Sequence, residues 1–156
     1  MDAQYLTLLQ AMPIFGGIHE QALELLIQNS PEITINKGEY FFREADPADS
    51  LFILKHGKVL IVKGEDTYLQ SLQAGDCFGE MSLIDLNPRS ASVLATEDCL
   101  ALEVSQQTLF MLYEHHLAQF TLIQMNLLRE VSRRLRALDE KLMRIDKELL
   151  KLIHAL

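Results

Sequence analysis

The sequence lacks any run of eighteen or more apolar residues, so no segment is read as crossing a membrane as a helix. Its first fifteen residues, MDAQYLTLLQAMPIF, carry an early acid and no basic stretch, which argues against a secretory signal. Only two cysteines occur, Cys77 and Cys99, with no CxxC spacing. Two cysteines alone do not complete a zinc site, and both are expected to be reduced, semi-buried thiols. Basic residues are scarce in the first two thirds: residues 1–103 hold 6 basic and 16 acidic side chains, a balance of −10 within a net charge of −8. That field repels nucleic-acid phosphates, and the one basic cluster, Arg133 to Arg136, reads as a solvated helix flank. Internal repeats, low-complexity tracts and flexible linkers are missing as well. So is any sequence-ordered nucleophile, base or metal constellation: His115 and His116 are adjacent and lack the i,i+4 spacing of a zinc pair. What remains is a cytoplasmic, non-enzymatic globular chain. Its 156 residues, 49% of them hydrophobic, suffice for one domain, or one domain plus an appendage.

The period of the apolar residues changes twice. Residues 3–12 and 19–29 read as helices, the second placing Leu23, Leu26 and Ile27 on one face and stopping at Pro31. From Glu32 a series of β-branched and aromatic runs is cut by Lys-Gly, Asp-Pro, His-Gly, Lys-Gly-Glu-Asp and Ala-Gly-Asp. Turn signals at such short intervals predict antiparallel hairpins in a small barrel or sandwich. RSASVLAT and CLALEV supply two more strands, and the helical period returns after Val104. Helices, then strands, then helices define an α+β class. The division expected is 1–116 for the short helices and strands and 117–156 for one long helix.

That helix carries the clearest periodicity. Leu128, Val131, Leu135, Leu138, Leu142, Ile145, Leu149, Leu152 and Leu156 alternate in steps of three and four, a heptad seam of about 43 Å at 1.5 Å per residue. Leu fills every a position. Arg134 and Lys141 fall at g, Asp139 and Asp146 at e, so a parallel pair would oppose unlike charges. A homodimer through residues 128–156 is expected, with a tetramer open because Leu at a with Ile at d tends toward four strands.

The stretch FGEMSLIDLNPRSASV, Phe78 to Val93, contains the chemistry. Gly79 permits close backbone approach. MSLIDL can form a short helical turn, which Asn87-Pro88 ends. Arg89 offers a planar fork suited to two phosphate oxygens. Ser90, Ala91 and Ser92 are small enough to leave room. Glu80, as a carboxylate, only accepts hydrogen bonds and therefore needs a donor such as a hydroxyl. A ligand with one anionic phosphate and a nearby sugar hydroxyl satisfies both residues.

The Phe-Gly-Glu, Pro-Arg and Ala-Ser-Val elements at this separation resemble the phosphate-binding cassette of the cyclic-nucleotide-binding domain family. INKGEYFFREADPADSLFILKHGKVLIV resembles the family's early β-roll. The resemblance covers roughly residues 10–140. It implies an antiparallel, jelly-roll-like β-roll with short N-terminal helices and a long C-terminal helix. It further implies that Glu80 accepts from a ribose 2′-hydroxyl, that Arg89 pairs with the cyclic phosphate, and that the Ser82 and Ser90 N–H groups bond phosphate oxygens. Gly79 would line the ribose and Ala91 the cassette wall. SRRLRALDEK resembles the stretch of the long helix that closes over the base in activator-type members, which puts Arg134 beside Glu80 and Leu138 and Asp139 at the base. There this chain departs, carrying Leu and Asp where those members have hydroxyls. The ligand implied is cyclic AMP ahead of cyclic GMP, with no cofactor or metal, and an unknown downstream protein as partner. Two alternatives stay open: a truncated or DNA-binding-deficient relative of activator-type regulators, and a ligand-free dimerisation scaffold. Direct DNA binding is not expected of a chain that ends inside its heptads.

Overall fold

A computed structural model describes the backbone of residues 3–156 and the side chains of residues 6–156. Two short helices, α1 (Ala3–Gln10) and α2 (Glu20–Gln28), flank a single 3-10 turn at Pro13–Phe15. The first helix thus stops short of residue 12: the proline opens the new turn, its fixed φ suiting a first helical position and its missing N–H ending the old one. Eight strands follow, interrupted by one five-residue helix: β1 (Glu32–Ile35), β2 (Tyr40–Phe42), β3 (Ser50–His56), β4 (Lys58–Lys63), β5 (Thr67–Gln73), β6 (Cys77–Phe78), α3 (Met81–Asp85), β7 (Ser92–Ala95) and β8 (Cys99–Ser105). The chain closes with α4 (Gln106–His115) and α5 (Leu117–His154).

All strand pairs are antiparallel, in two four-stranded sheets of order β1-β8-β3-β6 and β2-β7-β4-β5. This is the expected β-roll. The period of two along β3 and β8 explains how one sheet serves two cores. Phe52 and Leu54 of β3, with Cys99 and Ala101 of β8, meet Val59, Leu72, Val93 and Ala95 of the other sheet. Leu51 and Ile53 of β3, with Leu102 and Val104 of β8, point the other way onto Phe15, Leu23, Leu26, Leu112 and Ile123. β3 is therefore buried on both faces through its first five residues and apolar from Leu51 to Leu54. Cys77 and Cys99 are fully buried and unpaired rather than semi-buried, one in each core.

Helix α4 starts at Ser105, whose hydroxyl accepts from the Thr108 N–H at 3.1 Å as an N-cap. His116, at φ −142° and ψ 60°, breaks the helical path before α5. The start of α5 is fixed to the body by Ile123 and Leu127 and by Asn126. The Asn126 side-chain amide donates to the carbonyls of Ile14 and Gly16 at 3.1 and 3.0 Å. Past Leu138 the helix leaves the body, and every residue from Leu135 to Leu156 is exposed. The seam side chains from Leu135 to Leu152 are 43–67% exposed.

Candidate ligand-binding site

The cassette begins where β6 ends. Phe78 is in the inter-sheet core, stacked on Phe52 at 5.5 Å between ring centroids. Gly79 then turns the chain at φ +80°, where a side chain is strained. A Cβ at this position would lie 2.7 Å from Arg89 Nη1. The glycine is required by the backbone and by the arginine together. Helix α3 follows with Glu80 as its N-cap residue, and it ends at Leu86 in the left-handed region (φ +59°), one residue before Asn87-Pro88.

Arg89 returns to the same point from the other side. Its backbone is held by the β2–β3 loop: Arg89 N–H donates to the Asp46 carbonyl at 2.9 Å, and Ala45 N–H donates to the Arg89 carbonyl at 2.8 Å. The side chain is buried, with Nη1 donating to the carbonyls of Ser50 (2.8 Å) and Gly79 (3.1 Å). The guanidinium lies 3.9 Å over the Phe42 ring. Nη2 reaches Ser50 Oγ at 3.5 Å, and Nε has no partner. One edge of the fork is thus anchored, and the Nε–Nη2 edge, the one that fits two phosphate oxygens, is left over. Burial pushes the Arg89 pKa below its ordinary value, opposed by the surrounding acids Asp49, Glu103, Asp46 and Glu80. A cation held this way gains from an anion placed against it.

Glu80 is buried opposite. Its Oε1 accepts from Arg134 Nη1 at 3.5 Å, while Oε2 has no partner. Arg134, reaching in from α5, also donates through Nη2 to the Cys77 carbonyl and through Nε to Glu130 Oε1 at 3.1 Å. Arg133 grips the same Glu130 with Nε on Oε2 (3.1 Å) and Nη2 on Oε1 (2.5 Å). These hydrogen bonds, Arg133's foremost, hold the Glu130 carboxyl below the ordinary carboxylate value against the opposing effect of burial. Cys77 packs beneath, and burial pushes its thiol up to about 12.

Glu80, Arg89 and Arg134 line one cavity of about 470 Å³, within the usual range for small-molecule sites, while Glu130, Arg133 and Cys77 lie behind it. Gly79, Glu80, Ser82, Arg89, Ser90, Ala91, Arg134 and Leu138 all border it, and Asp139 does not: it lies exposed on α5, next to the cavity-lining Leu138. Met81 is half exposed and on the wall. Arg134 is buried in the Glu80–Glu130 network, beside Glu80 as the resemblance implied, rather than turned toward a second helix as its g position suggested. Side chains not assigned to the site from the sequence complete the lining: Phe42, Ile61, Lys63, Leu69, Gln70 and Val93, with Val131 and Leu135 of the heptad seam. Lys63 is occupied by Glu44 and the Ser90 carbonyl. The strand residues Ile61, Leu69 and Gln70 carried no motif signal, since ordinary alternation explains them; Leu135 had been read as seam. Among the described residues no group of three or more His, Cys, Asp or Glu side chains is placed to hold a metal ion.

A β-roll with a buried carboxylate and a buried guanidinium on one cavity, bordered by a long helix, defines a small-ligand-binding class. The chain belongs to the cyclic nucleotide-binding domain family, whose description it matches over residues 32–116, more than half its length. It is 29% identical over 138 residues to the cyclic AMP receptor protein of Thermus thermophilus, covering 86% of this chain and 62% of that protein. It is 30% identical over 113 residues to cGMP-dependent protein kinase 2 of Homo sapiens, covering 69% of this chain and 15% of the kinase. The chain spans less than two thirds of the length of both. The crystal structure of the Thermus thermophilus catabolite activator protein is similar at TM-score 0.73 and 29% identity, over 86% of this chain and 63% of that one. A cyclic nucleotide-binding domain from Methylobacillus flagellatus KT matches in fold at TM-score 0.82 and 22% identity, over 90% and 83% of the two chains.

Proposed function

We propose that this chain is a cyclic-nucleotide sensor, with cyclic AMP as preferred ligand, that signals through paired α5 helices. One observation carries the reading. Glu80 Oε2 and Arg89 Nε are buried atoms without partners, and they belong to two residues of opposite charge on one cavity. An unmatched buried polar atom costs about 1–3 kcal/mol, more when charged. A cyclic nucleotide relieves both: its ribose hydroxyl donates to Glu80 and its phosphate accepts from the Nε–Nη2 edge of Arg89. The N–H groups of Ser82 and Ser90 are the further phosphate donors in this reading.

The base preference follows from the rest of the wall. Ile61, Leu69, Met81, Val131, Leu135 and Leu138 are apolar, and Gln70 contributes one amide. Guanine brings more polar edge atoms than adenine into such surroundings, each costly if unpaired. The Thermus thermophilus relative is named for cyclic AMP and the human kinase for cGMP, so the names alone do not choose between them.

Residues 1–116 form the ligand-binding unit and residues 117–156 the signalling helix. Ligand closes the cavity against Val131, Leu135 and Leu138, and the homodimer seam beyond them passes the shift to a second copy and onward to a partner protein. The coupling is bounded by the ligand's preference for one helix position over another. The two free, buried cysteines suit a cytoplasmic setting.

The test is a thermal-shift panel of cyclic AMP, cyclic GMP and cyclic dinucleotides, followed by calorimetry on Arg89→Ala. Cyclic AMP is expected to raise the Tm most. Arg89→Ala should weaken binding by about 2–5 kcal/mol, the loss typical of breaking a buried charge contact. No shift with any cyclic nucleotide, or an unchanged affinity in Arg89→Ala, refutes the reading.

A further inference from the structure

We infer that Glu130 is a positioning residue for ribose recognition: it sets how much of Arg134 reaches Glu80 and so keeps Glu80 Oε2 open for the sugar. The inference rests on the cyclic-nucleotide reading above. Each nitrogen of the Arg134 guanidinium is committed to a different group: Nε to Glu130, Nη1 to Glu80, Nη2 to the Cys77 carbonyl. Glu130 and Arg134 are both 8% exposed, so water competes little for either. The contact to Glu130 (3.1 Å) is shorter than the contact to Glu80 (3.5 Å). Arg134 is therefore drawn toward its own helix and meets Glu80 with a single nitrogen.

The charges support the same reading. Glu80 and Glu130 supply two negative groups, and Arg133 and Arg134 two positive ones, in a continuous chain. Arg133 holds Glu130 through two hydrogen bonds, one to each carboxylate oxygen, which steady the carboxylate whose Oε1 also accepts from Arg134 Nε. Without the Glu130 charge, Glu80 becomes the one carboxylate facing Arg134. The guanidinium then either closes onto both Glu80 oxygens, consuming the acceptor the ribose needs, or leaves the orientation in which Glu80 is held. Both outcomes weaken recognition of a 2′-hydroxyl while leaving the Arg89 phosphate contact in place.

The experiment compares cyclic AMP with its 2′-deoxy analogue on the full chain and on Glu130→Gln, which preserves side-chain size and one oxygen acceptor. In the unsubstituted protein cyclic AMP should bind at least about tenfold tighter than the analogue, the size of one hydrogen bond to a charged group. In Glu130→Gln this ratio should fall several-fold toward one, through weaker cyclic AMP binding with the deoxy analogue nearly unchanged. Adding Glu80→Gln to Glu130→Gln should then bring little further loss, because both changes act on one interaction. A purely structural role would lower both affinities together and preserve the ratio, and that result overturns the inference, as does an unchanged ratio with unchanged affinities. If the unsubstituted chain binds no cyclic nucleotide, the functional reading itself fails and the inference falls with it.

Discussion

Replacing Gly79 by Ala gives the sharpest test of the site geometry. The methyl group brings two separate penalties. At φ +80° a side chain strains the backbone by about 1–2 kcal/mol. The new Cβ also sits 2.7 Å from Arg89 Nη1 and 3.4 Å from both Phe42 Cε1 and the Ser50 carbonyl oxygen. To relax the first contact to an ordinary 3.4 Å, the guanidinium must move while Phe42 and Ser50 hem it in. That motion breaks at least one of the charge-assisted bonds from Nη1 to the Ser50 and Gly79 carbonyls, each worth about 1.5–3 kcal/mol. The sum is about 2.5–5 kcal/mol, a Tm loss of at least roughly 5 °C for a chain of this size. Gly38→Ala is the control, since Gly38 has φ +89° but nothing within 4 Å of its would-be Cβ. It should lose only the strain. Urea unfolding of both variants measures the difference, expected near 1.5–3 kcal/mol, and calorimetry should show cyclic AMP binding at least about tenfold weaker in Gly79→Ala alone. If the two variants are equally stable within about 0.5 kcal/mol, Arg89 does not occupy the position described, and the account of the phosphate edge fails.

Two further expectations rest on other parts of the molecule. Lys141→Glu places like charges opposite Asp146 of a parallel partner helix and should weaken dimerisation in analytical ultracentrifugation. The double variant Lys141→Glu/Asp146→Lys should restore it, each pair being worth about 0.2–1 kcal/mol; failure of the double variant to recover rules out the parallel register. The buried Cys77 thiol, held up to about 12 from an ordinary 9.0, stays protonated in the folded state while the unfolded chain ionises. Its contribution to stability is complete below pH 9 and declines as pH rises from 9 toward 12, by at most about 1.4 kcal/mol per pH unit. Tm against pH should fall more steeply for the unmodified chain than for Cys77→Ala above pH 9, and parallel curves would contradict the burial of this thiol.

The fold was legible because its signals are local. Turn residues cut the strands of β3 to β5 at short intervals, and Gly79, Glu80 and Arg89 are tied to one cassette of sixteen residues, Phe78 to Val93. Burial was less legible. Cys77 reads as a semi-buried thiol next to a turn, yet it lies under the Arg134 guanidinium, a contact made across 57 residues. Arg134 shows the limit of periodicity most plainly. The heptad assigns it to a g position facing a second helix, while Glu80, Glu130 and the Cys77 carbonyl fix it inside, beside Glu80 as the family resemblance implied. Helical register states which residues share a face, but not where along the helix the body ends and solvent begins. The anchors of Arg89 were hidden for a different reason: they are the carbonyls of Ser50 and Gly79, and backbone acceptors leave no mark in a side-chain pattern.

The Asn126 clamp has a mechanical consequence. It pins α5 to the carbonyls of Ile14 and Gly16, so a tilt of the helix on ligand binding would have its fulcrum there. Leu138, on the cavity wall, stands about 18 Å along the axis from Asn126, and His154 at the helix end about 42 Å. Under such a tilt, an ångström-scale movement at the cavity would be more than doubled at the tip. The exposed leucines beyond Leu138 would then ride on the long arm of a lever whose short arm borders the ligand cavity.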